Sequence, residues 1–127
     1  MQIGTRLSAI ALVLFLALPA LAADVTGKWA SEFDSQIGPQ KYTFDLKVDG
    51  EKVTGKASFE RMGQKGEVDL IEGKLVGDQL SFVETSEFEG NTMRIVYKGT
   101  VKGDEIAFTR DVGGFVTEQI VARRVKD

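Results

Sequence analysis

Apolar and polar residues alternate along most of the chain after its first 22 residues, and this period of two is the feature that most restricts the fold. The clearest case is the segment 42–48, where the apolar positions are Tyr42, Phe44, Leu46 and Val48. Segments 53–59 and 93–101 show the same alternation. Successive side chains of a β-strand point to opposite faces, so each segment predicts a strand with one apolar face. Such strands are typical of antiparallel sheets with one buried face.

Short turn motifs separate the alternating segments, and they pair Gly with Asp, Asn or a second Gly. They are Asp49-Gly50, Gly77-Asp78, Gly90-Asn91, Gly103-Asp104 and Gly113-Gly114. These residues tolerate the positive φ of tight hairpin turns. The predicted strands are 25–35, 40–48, 52–60, 66–76, 79–88, 92–101, 104–111 and 115–125, with a bulge at Glu72-Gly73. We therefore predict an all-β fold, an eight-stranded antiparallel up-and-down β-barrel, because closure removes both sheet edges.

The first 22 residues have the pattern of a secretory signal peptide. Arg6 supplies a positive charge, 7–18 is an almost unbroken apolar run, and Ala20-Leu21-Ala22 has small residues where signal peptidases cleave. We expect cleavage near Ala22, which leaves 23–127 as a single β-barrel domain that is secreted or periplasmic. The alternative is an uncleaved anchor. The apolar run is short and no Cys follows it, so no stable membrane anchor is expected.

The composition excludes several classes of function. The sequence has no His and no Cys, which excludes Ser-His-Asp and Cys-His catalysis and the usual zinc and haem ligands. No cofactor and no metal are therefore expected. With Arg6 removed, 15 basic residues remain against 19 acidic ones, and this dispersed excess disfavours nucleic acid as a partner. We expect no enzyme activity; a weaker alternative is a hydrolase that uses Glu84 and Glu118 as acid and base.

Gly27-Lys28-Trp29 opens the first predicted strand, and it resembles the Gly-x-Trp motif of the calycin superfamily, which includes lipocalins and avidin-like proteins. The resemblance implies a calycin-like barrel that is closed at one end by Trp29, packed beside a basic residue of the last strand. Arg124 shares a phase with Ile120 and is the expected partner, with Arg123 as the alternative if the register shifts by one. The chain lacks the lipocalin disulfide and C-terminal helix, which argues against a large lipocalin-like ligand cup.

The up-and-down order predicts different chemistry at the two barrel ends. The Gly-Asp turns lie at the same end as Trp29 and Arg124. The opposite end, which we call the mouth, collects apolar loop residues, namely Ile37, Met62, Phe88, Val112 and Phe115. Exposed apolar loops suit a binding site, although the same residues could instead fold inward and cap the core.

Strand phase predicts an interior rich in aromatic side chains: Phe33, Tyr42, Phe44, Phe59, Phe82, Met93, Tyr97 and Phe108. An eight-stranded barrel is either just filled by its side chains or holds one small ligand. This many large residues favours a filled core or a shallow pocket. Arg110 and Glu118 face inward near the mouth, where they anchor a ligand carboxylate or, as we favour, form an internal ion pair.

These patterns together predict a non-catalytic binding protein for a small apolar or amphipathic molecule at the mouth. The candidate ligand-binding residues are Tyr42, Phe44, Phe59, Met62, Phe82, Phe88, Met93, Tyr97, Arg110 and Phe115. The alternative is a protein-binding module, such as an inhibitor or an envelope accessory protein. In that case the core is filled and Met62, Phe88 and Phe115 contact the partner.

Overall fold

A computed structural model describes residues 23–126, and the predicted signal peptide lies outside them. The described residues form nine antiparallel strands: β1 Gly27–Ser35, β2 Gly38–Asp49, β3 Lys52–Arg61, β4 Gln64–Asp69, β5 Ile71–Val76, β6 Gln79–Phe88, β7 Asn91–Lys102, β8 Glu105–Val112 and β9 Val116–Arg124. They pair in the order β2-β1-β9-β8-β7-β6-β5-β3, and β2 also pairs with β3, so the sheet closes into a barrel. Residues 23–126 contain no helix long and apolar enough to cross a membrane.

β4 and β5 are two halves of one bent strand. Leu70 alone separates them, and both halves pair with β3. The register between β5 and β6 shifts between Ile71 and Lys74, and Glu72 has a φ of 54°. The bulge predicted at Glu72-Gly73 is therefore present. Because the two halves count as one strand, the prediction of an eight-stranded antiparallel barrel is confirmed.

Within residues 23–126 the ladders are incomplete at the mouth. β4 forms a ladder with β3 but none with β6, and we call the opening between β4 and β6 the seam. The β1–β9 ladder is short and pairs only Trp29 with Arg124 and Ala30 with Arg123, near the closed end. β6 pairs with both β5 and β7 from Gln79 to Val83, whereas from Glu84 to Phe88 it pairs with β7 alone. The hydrogen-bonded circle is therefore complete in the lower half of the barrel and interrupted in the upper half.

Aromatic side chains fill the lower interior. The rings of Phe82, Tyr97 and Phe108 lie 5.4, 5.4 and 5.9 Å from the ring of Phe44, measured between centroids. None of these four side chains is more than 1% exposed. Gly99 makes room for this cluster, since a Cβ there would lie 2.6 Å from the Phe108 ring. The predicted aromatic interior is thus observed as a packed core at this level.

Trp29 and Arg124 lie together at the end opposite the mouth. Trp29 is fully buried and its indole Nε1 donates to the Val25 carbonyl at 2.9 Å. The Arg124 guanidinium carbon lies 4.3 Å from the indole centroid, a cation–π contact. Arg124 also donates to the carbonyls of Asp24, at 2.8 Å, and Thr26, at 3.1 Å. The residues just before β1 are therefore tied across the closed end, and Arg124 rather than Arg123 covers the indole.

Replacing Arg124 should destabilise the barrel far more than replacing its neighbour Arg123. Arg124→Ala removes a charged donor from two carbonyls and the cation–π contact, so we expect the free energy of unfolding to fall by about 2 kcal/mol. Arg123 is exposed and its ion pair with Glu105 is exposed too, so Arg123→Ala should cost less than about 0.5 kcal/mol. Urea unfolding followed by the fluorescence of Trp29, the single tryptophan, measures both values. Equal losses would contradict the role given to Arg124.

Candidate functional site

A cavity of about 460 Å³ opens at the mouth. Its upper wall is apolar and is formed by Ile37, Met62, Phe88, Met93, Val112 and Val116. Its floor is polar and includes Gln40, Arg61, Ser86, Arg110 and Glu118. A concave apolar site with a few convergent polar groups is the usual form of a small-molecule site.

The strand period explains why a polar layer lies directly above the aromatic core. Residues two apart on a strand share a face. Arg61 therefore follows Phe59 on the inner face of β3, and Arg110 follows Phe108 on β8. Register then brings these side chains together, because Gln40 lies opposite Arg61 and Arg110 lies opposite Glu118. The floor of the cavity therefore lies directly above the packed core, two residues further along each of these strands.

Glu84 is the buried centre of the polar layer. Its side chain is 0% exposed. The Tyr42 hydroxyl donates to one carboxylate oxygen at 2.9 Å, and the Tyr97 hydroxyl donates to the other at 2.7 Å. The Arg61 Nη1 lies 3.9 Å from Glu84 Oε2. A buried carboxylate is costly unless it is hydrogen-bonded and paired, and here it is both.

Arg110 links the two tyrosines to Glu118. Its Nε donates to the Tyr97 hydroxyl at 2.8 Å and its Nη2 to the Tyr42 hydroxyl at 3.1 Å. Its Nη1 forms an ion pair with Glu118. Arg110 is 2% exposed, so its guanidinium is already engaged on three sides. The internal ion pair predicted for Arg110 is therefore present, and the role of a ligand anchor stays a prediction.

The buried network shifts the pKa values of its members. Burial, and next the negative charge of Glu84, raise the pKa of Tyr42 to about 12. The same two causes raise the pKa of Tyr97 well above its usual value. Burial acts to lower the pKa of Arg110, but its phenolic neighbours and its hydrogen bonds to Tyr97 and Glu118 raise it overall. Both phenols therefore stay protonated near neutral pH and remain donors to Glu84.

Arg61 is the cation of the floor that remains partly accessible, with 21% of its side chain exposed. Its guanidinium carbon lies 3.9 Å from the centroid of the Phe59 ring, which holds the side chain flat. It donates to the Tyr42 hydroxyl and to the Ser86 Oγ, each at 3.2 Å. The sequence interpretation did not select Arg61, although its inward phase after Phe59 was the signal that would have found it.

Gln40 has an amide oxygen with no hydrogen-bond donor, the one such buried side-chain atom found in residues 23–126. The Gln40 Nε2 donates to Ser35 Oγ at 2.8 Å, while the Ser35 hydroxyl donates its single proton to the Gly38 carbonyl. Since that hydroxyl has no further proton to give, the amide nitrogen must face Ser35. The orphaned acceptor is thus fixed by its neighbours, and Gln40 belongs to the cavity lining.

The structure brings only some of the predicted ligand-binding residues to the cavity. Met62, Phe88, Met93 and Arg110 line it. The core positions Phe44, Phe82 and Tyr97 lie beneath the floor, as does Tyr42, which reaches the polar layer through its hydroxyl; all four are buried. Phe59 supports Arg61 from below.

Phe115 lies apart from the cavity, at an outer groove of about 770 Å³ that it lines with Arg94, Val96 and Asp111. Its side chain is 82% exposed. Phe88 and Met93 line both the groove and the cavity, so the two are neighbours at the rim. The sequence pattern does not show that Phe115 belongs to the groove rather than to the cavity, because Phe115 is in a turn, where strand alternation does not apply.

Comparison with known proteins leaves the fold and the site to be judged from the structure itself. No protein-family model, no curated protein and no solved structure matches this chain. Among residues 23–126, no group of three or more acidic side chains is placed to hold a metal ion. The function of the chain is therefore inferred from the cavity, its charges and its hydrogen bonds.

The two tyrosines provide a direct optical test of the buried network. They are the only tyrosines of the chain, so tyrosinate absorbance reports on this site alone. In the folded protein Tyr42 should ionise at about pH 12 and Tyr97 well above its usual range, whereas both should ionise at about pH 10 in urea. Glu84→Gln removes the negative charge that helps to raise both pKa values, so it should move the folded titration to lower pH. A folded titration centred near pH 10 would contradict the network.

Stability should depend on pH in the same range. Because the folded pKa of Tyr42 is raised to about 12, the folded state keeps a proton that the unfolded state loses above about pH 10. This contribution is complete below about pH 10 and is lost as the pH rises toward 12. The free energy of unfolding should fall there by up to about 1.4 kcal/mol per pH unit for each tyrosine. Urea unfolding at stepped pH measures the slope, and Tyr42→Phe should reduce it.

Proposed function

We propose that the protein is a secreted or periplasmic, calycin-like, non-catalytic binding protein, and that it takes a small amphipathic molecule at the mouth. The observation that carries the proposal is the form of the cavity, an apolar wall above a floor of hydrogen-bonding groups. A ligand with an apolar tail and a polar head matches both parts. Support for the calycin-like assignment comes from the Trp29–Arg124 contact at the closed end.

The filled core limits what the cavity takes. Phe44, Phe82 and Phe108 occupy the barrel below the polar layer, so a ligand extends no deeper than Arg110. About 0.8 kcal/mol of binding free energy is available for each methylene that leaves water, so a short tail against Met93 and Val112 is enough for measurable affinity. The proposal is therefore a small ligand held in a shallow site.

The carboxylates of the site support a non-catalytic role. Both oxygens of Glu84 accept hydrogen bonds from tyrosines, and Glu118 is paired with Arg110. A general base must be free to accept a proton from a bound substrate. Glu84 is fully buried and each of its oxygens accepts a tyrosine hydrogen bond, so its role in this proposal is structural.

A second candidate is a protein-binding module, and the exposure of three rim residues favours it. Met62 is 72% exposed, Phe88 is 59% exposed and Phe115 is 82% exposed. Large apolar side chains exposed together at one end of a soluble protein are typical of contact surfaces. In this candidate the rim binds the partner and the cavity stays unused.

Filling the cavity should abolish small-molecule binding. Val116 lines the cavity, whereas Val121 lies on the same strand and points outward. We expect Val116→Trp to weaken binding of the apolar fluorescent probe N-phenyl-1-naphthylamine at least about tenfold, because the indole occupies the site. Val121→Trp adds the same side chain to the outer face and should leave the affinity unchanged. Equal effects of the two variants, or no binding by the unmodified protein, would sink the proposal.

Native mass spectrometry of protein purified from its own host separates the two candidates. A retained small mass that Val116→Trp eliminates supports ligand binding. A retained protein that survives Val116→Trp but is lost with Phe115→Ser supports the binding module. Phe115 is a suitable position for this comparison because it lies outside the cavity.

A further inference from the structure

We infer that the cavity selects amphiphiles with an uncharged, hydroxyl-bearing head group over those with a carboxylate or an ammonium. The inference rests on the proposed function, because it specifies the ligand class of the same cavity. It comes from the charges of the floor, which balance one another, and from the hydrogen-bonding positions that remain there.

The floor contains two cations and two anions in direct or shared contact. Arg110 pairs with Glu118, and Arg61 lies 3.9 Å from Glu84. Tyr42 couples the two pairs, since its hydroxyl accepts from both arginines and donates to Glu84. The sum of these four charges is zero, so the buried layer presents no net charge to a ligand.

A charged head group would upset this balance where screening is weak. Glu84 and Arg110 are almost fully buried, and the pairs lie inside the barrel rather than in bulk water. A carboxylate placed near Arg61 would also lie close to Glu84, and an ammonium placed near Glu118 would lie close to Arg110. Either head group would lose its hydration on entering the cavity. Its attraction to the oppositely charged residue would be offset by repulsion from the neighbouring residue that has the same charge as the head group. The remaining charged residue of the lining, Glu87, is exposed at the rim, where water screens its charge and its carboxylate accepts from the Thr92 hydroxyl, so it favours neither charged head group strongly.

The floor nevertheless has unused hydrogen-bonding capacity. A guanidinium has five N–H groups, and the contacts of Arg61 with Tyr42 and Ser86 use two of them. Glu118 supplies the acceptor: it lines the cavity, its side chain is 14% exposed, and only its Oε1 pairs with Arg110. A hydroxyl both accepts and donates, so it suits a floor that offers spare donors on Arg61 and a spare acceptor on Glu118. A carboxylate only accepts, and an ammonium only donates.

Three ligands with the same tail test this inference on the intact protein. They are 1-decanol, decanoate and decylammonium, each used near neutral pH to displace bound N-phenyl-1-naphthylamine. We expect decanol to displace the probe at a concentration at least about tenfold lower than either charged compound, because both of those leave one unbalanced charge at the floor. Decanoate or decylammonium displacing the probe as well as decanol does would overturn the inference.

Removing one charge from the floor should change which head group the cavity prefers. Glu118→Gln keeps a side-chain oxygen for Arg110 but leaves the floor with one net positive charge, so decanoate should gain about tenfold relative to decanol. Arg61→Gln leaves one net negative charge, so decylammonium should gain instead. Arg94→Gln is the matched control, because Arg94 is exposed on the outer surface in a pair with Glu72, and it should leave the order unchanged. An order that is the same in all three variants would contradict the charge argument.

Failure of this inference is distinguishable from failure of the proposed function. If neither the probe nor any decyl compound binds, the cavity is not a ligand site and both fall. If they bind and Val116→Trp blocks them, yet decanoate is preferred, only the head-group inference falls. Circular dichroism of each variant confirms that the barrel is folded, and the unmodified protein alone already decides between a neutral and a charged preference.

Discussion

The buried carboxylate of Glu84 is the constraint on which the upper half of the barrel depends. An ionised group out of contact with water must be fully hydrogen-bonded, and two tyrosine hydroxyls from β2 and β7 meet that need. Those hydroxyls in turn accept from Arg110 and Arg61, which join β8 and β3 to the same point. The result is a polar layer that crosses the interior, with aromatic packing on one side and the cavity on the other.

Much of the fold follows from the sequence because strand alternation and turn chemistry are local signals. Alternation with glycine-containing turns predicts the barrel, and the phase of β9 places Arg124 beside Trp29. The phases of β8 and β9 likewise place Arg110 and Glu118 inside the barrel. Alternation does not predict the break at Leu70, because where β4 ends and β5 begins depends on their pairing with β3 and β6 rather than on the alternation of their own residues.

The site was harder to predict than the fold. Whether an inward residue lines a cavity or lies beneath it depends on its height in the barrel, and alternation carries no information on height. This is why Phe44 and Phe82 were grouped with Met62 and Phe88, although the former belong to the packed core. Hydrogen bonds between distant strands leave no pattern in the sequence, so the contacts of Arg110 with Tyr97, Tyr42 and Glu118 are visible only in the structure.

Because of the seam between β4 and β6, the lower and upper halves of the barrel differ in how firmly their strands are joined. In the lower half every strand pairs with both of its neighbours, so backbone hydrogen bonds fix the circumference of the barrel there. In the upper half, within residues 23–126, no ladder joins β4 to β6, and the Arg61–Ser86 hydrogen bond is a side-chain tie from β3 to β6 across that opening. Widening the seam would break side-chain contacts but no backbone ladder. The opening of the upper half can therefore change in width while the lower half of the barrel keeps its circumference.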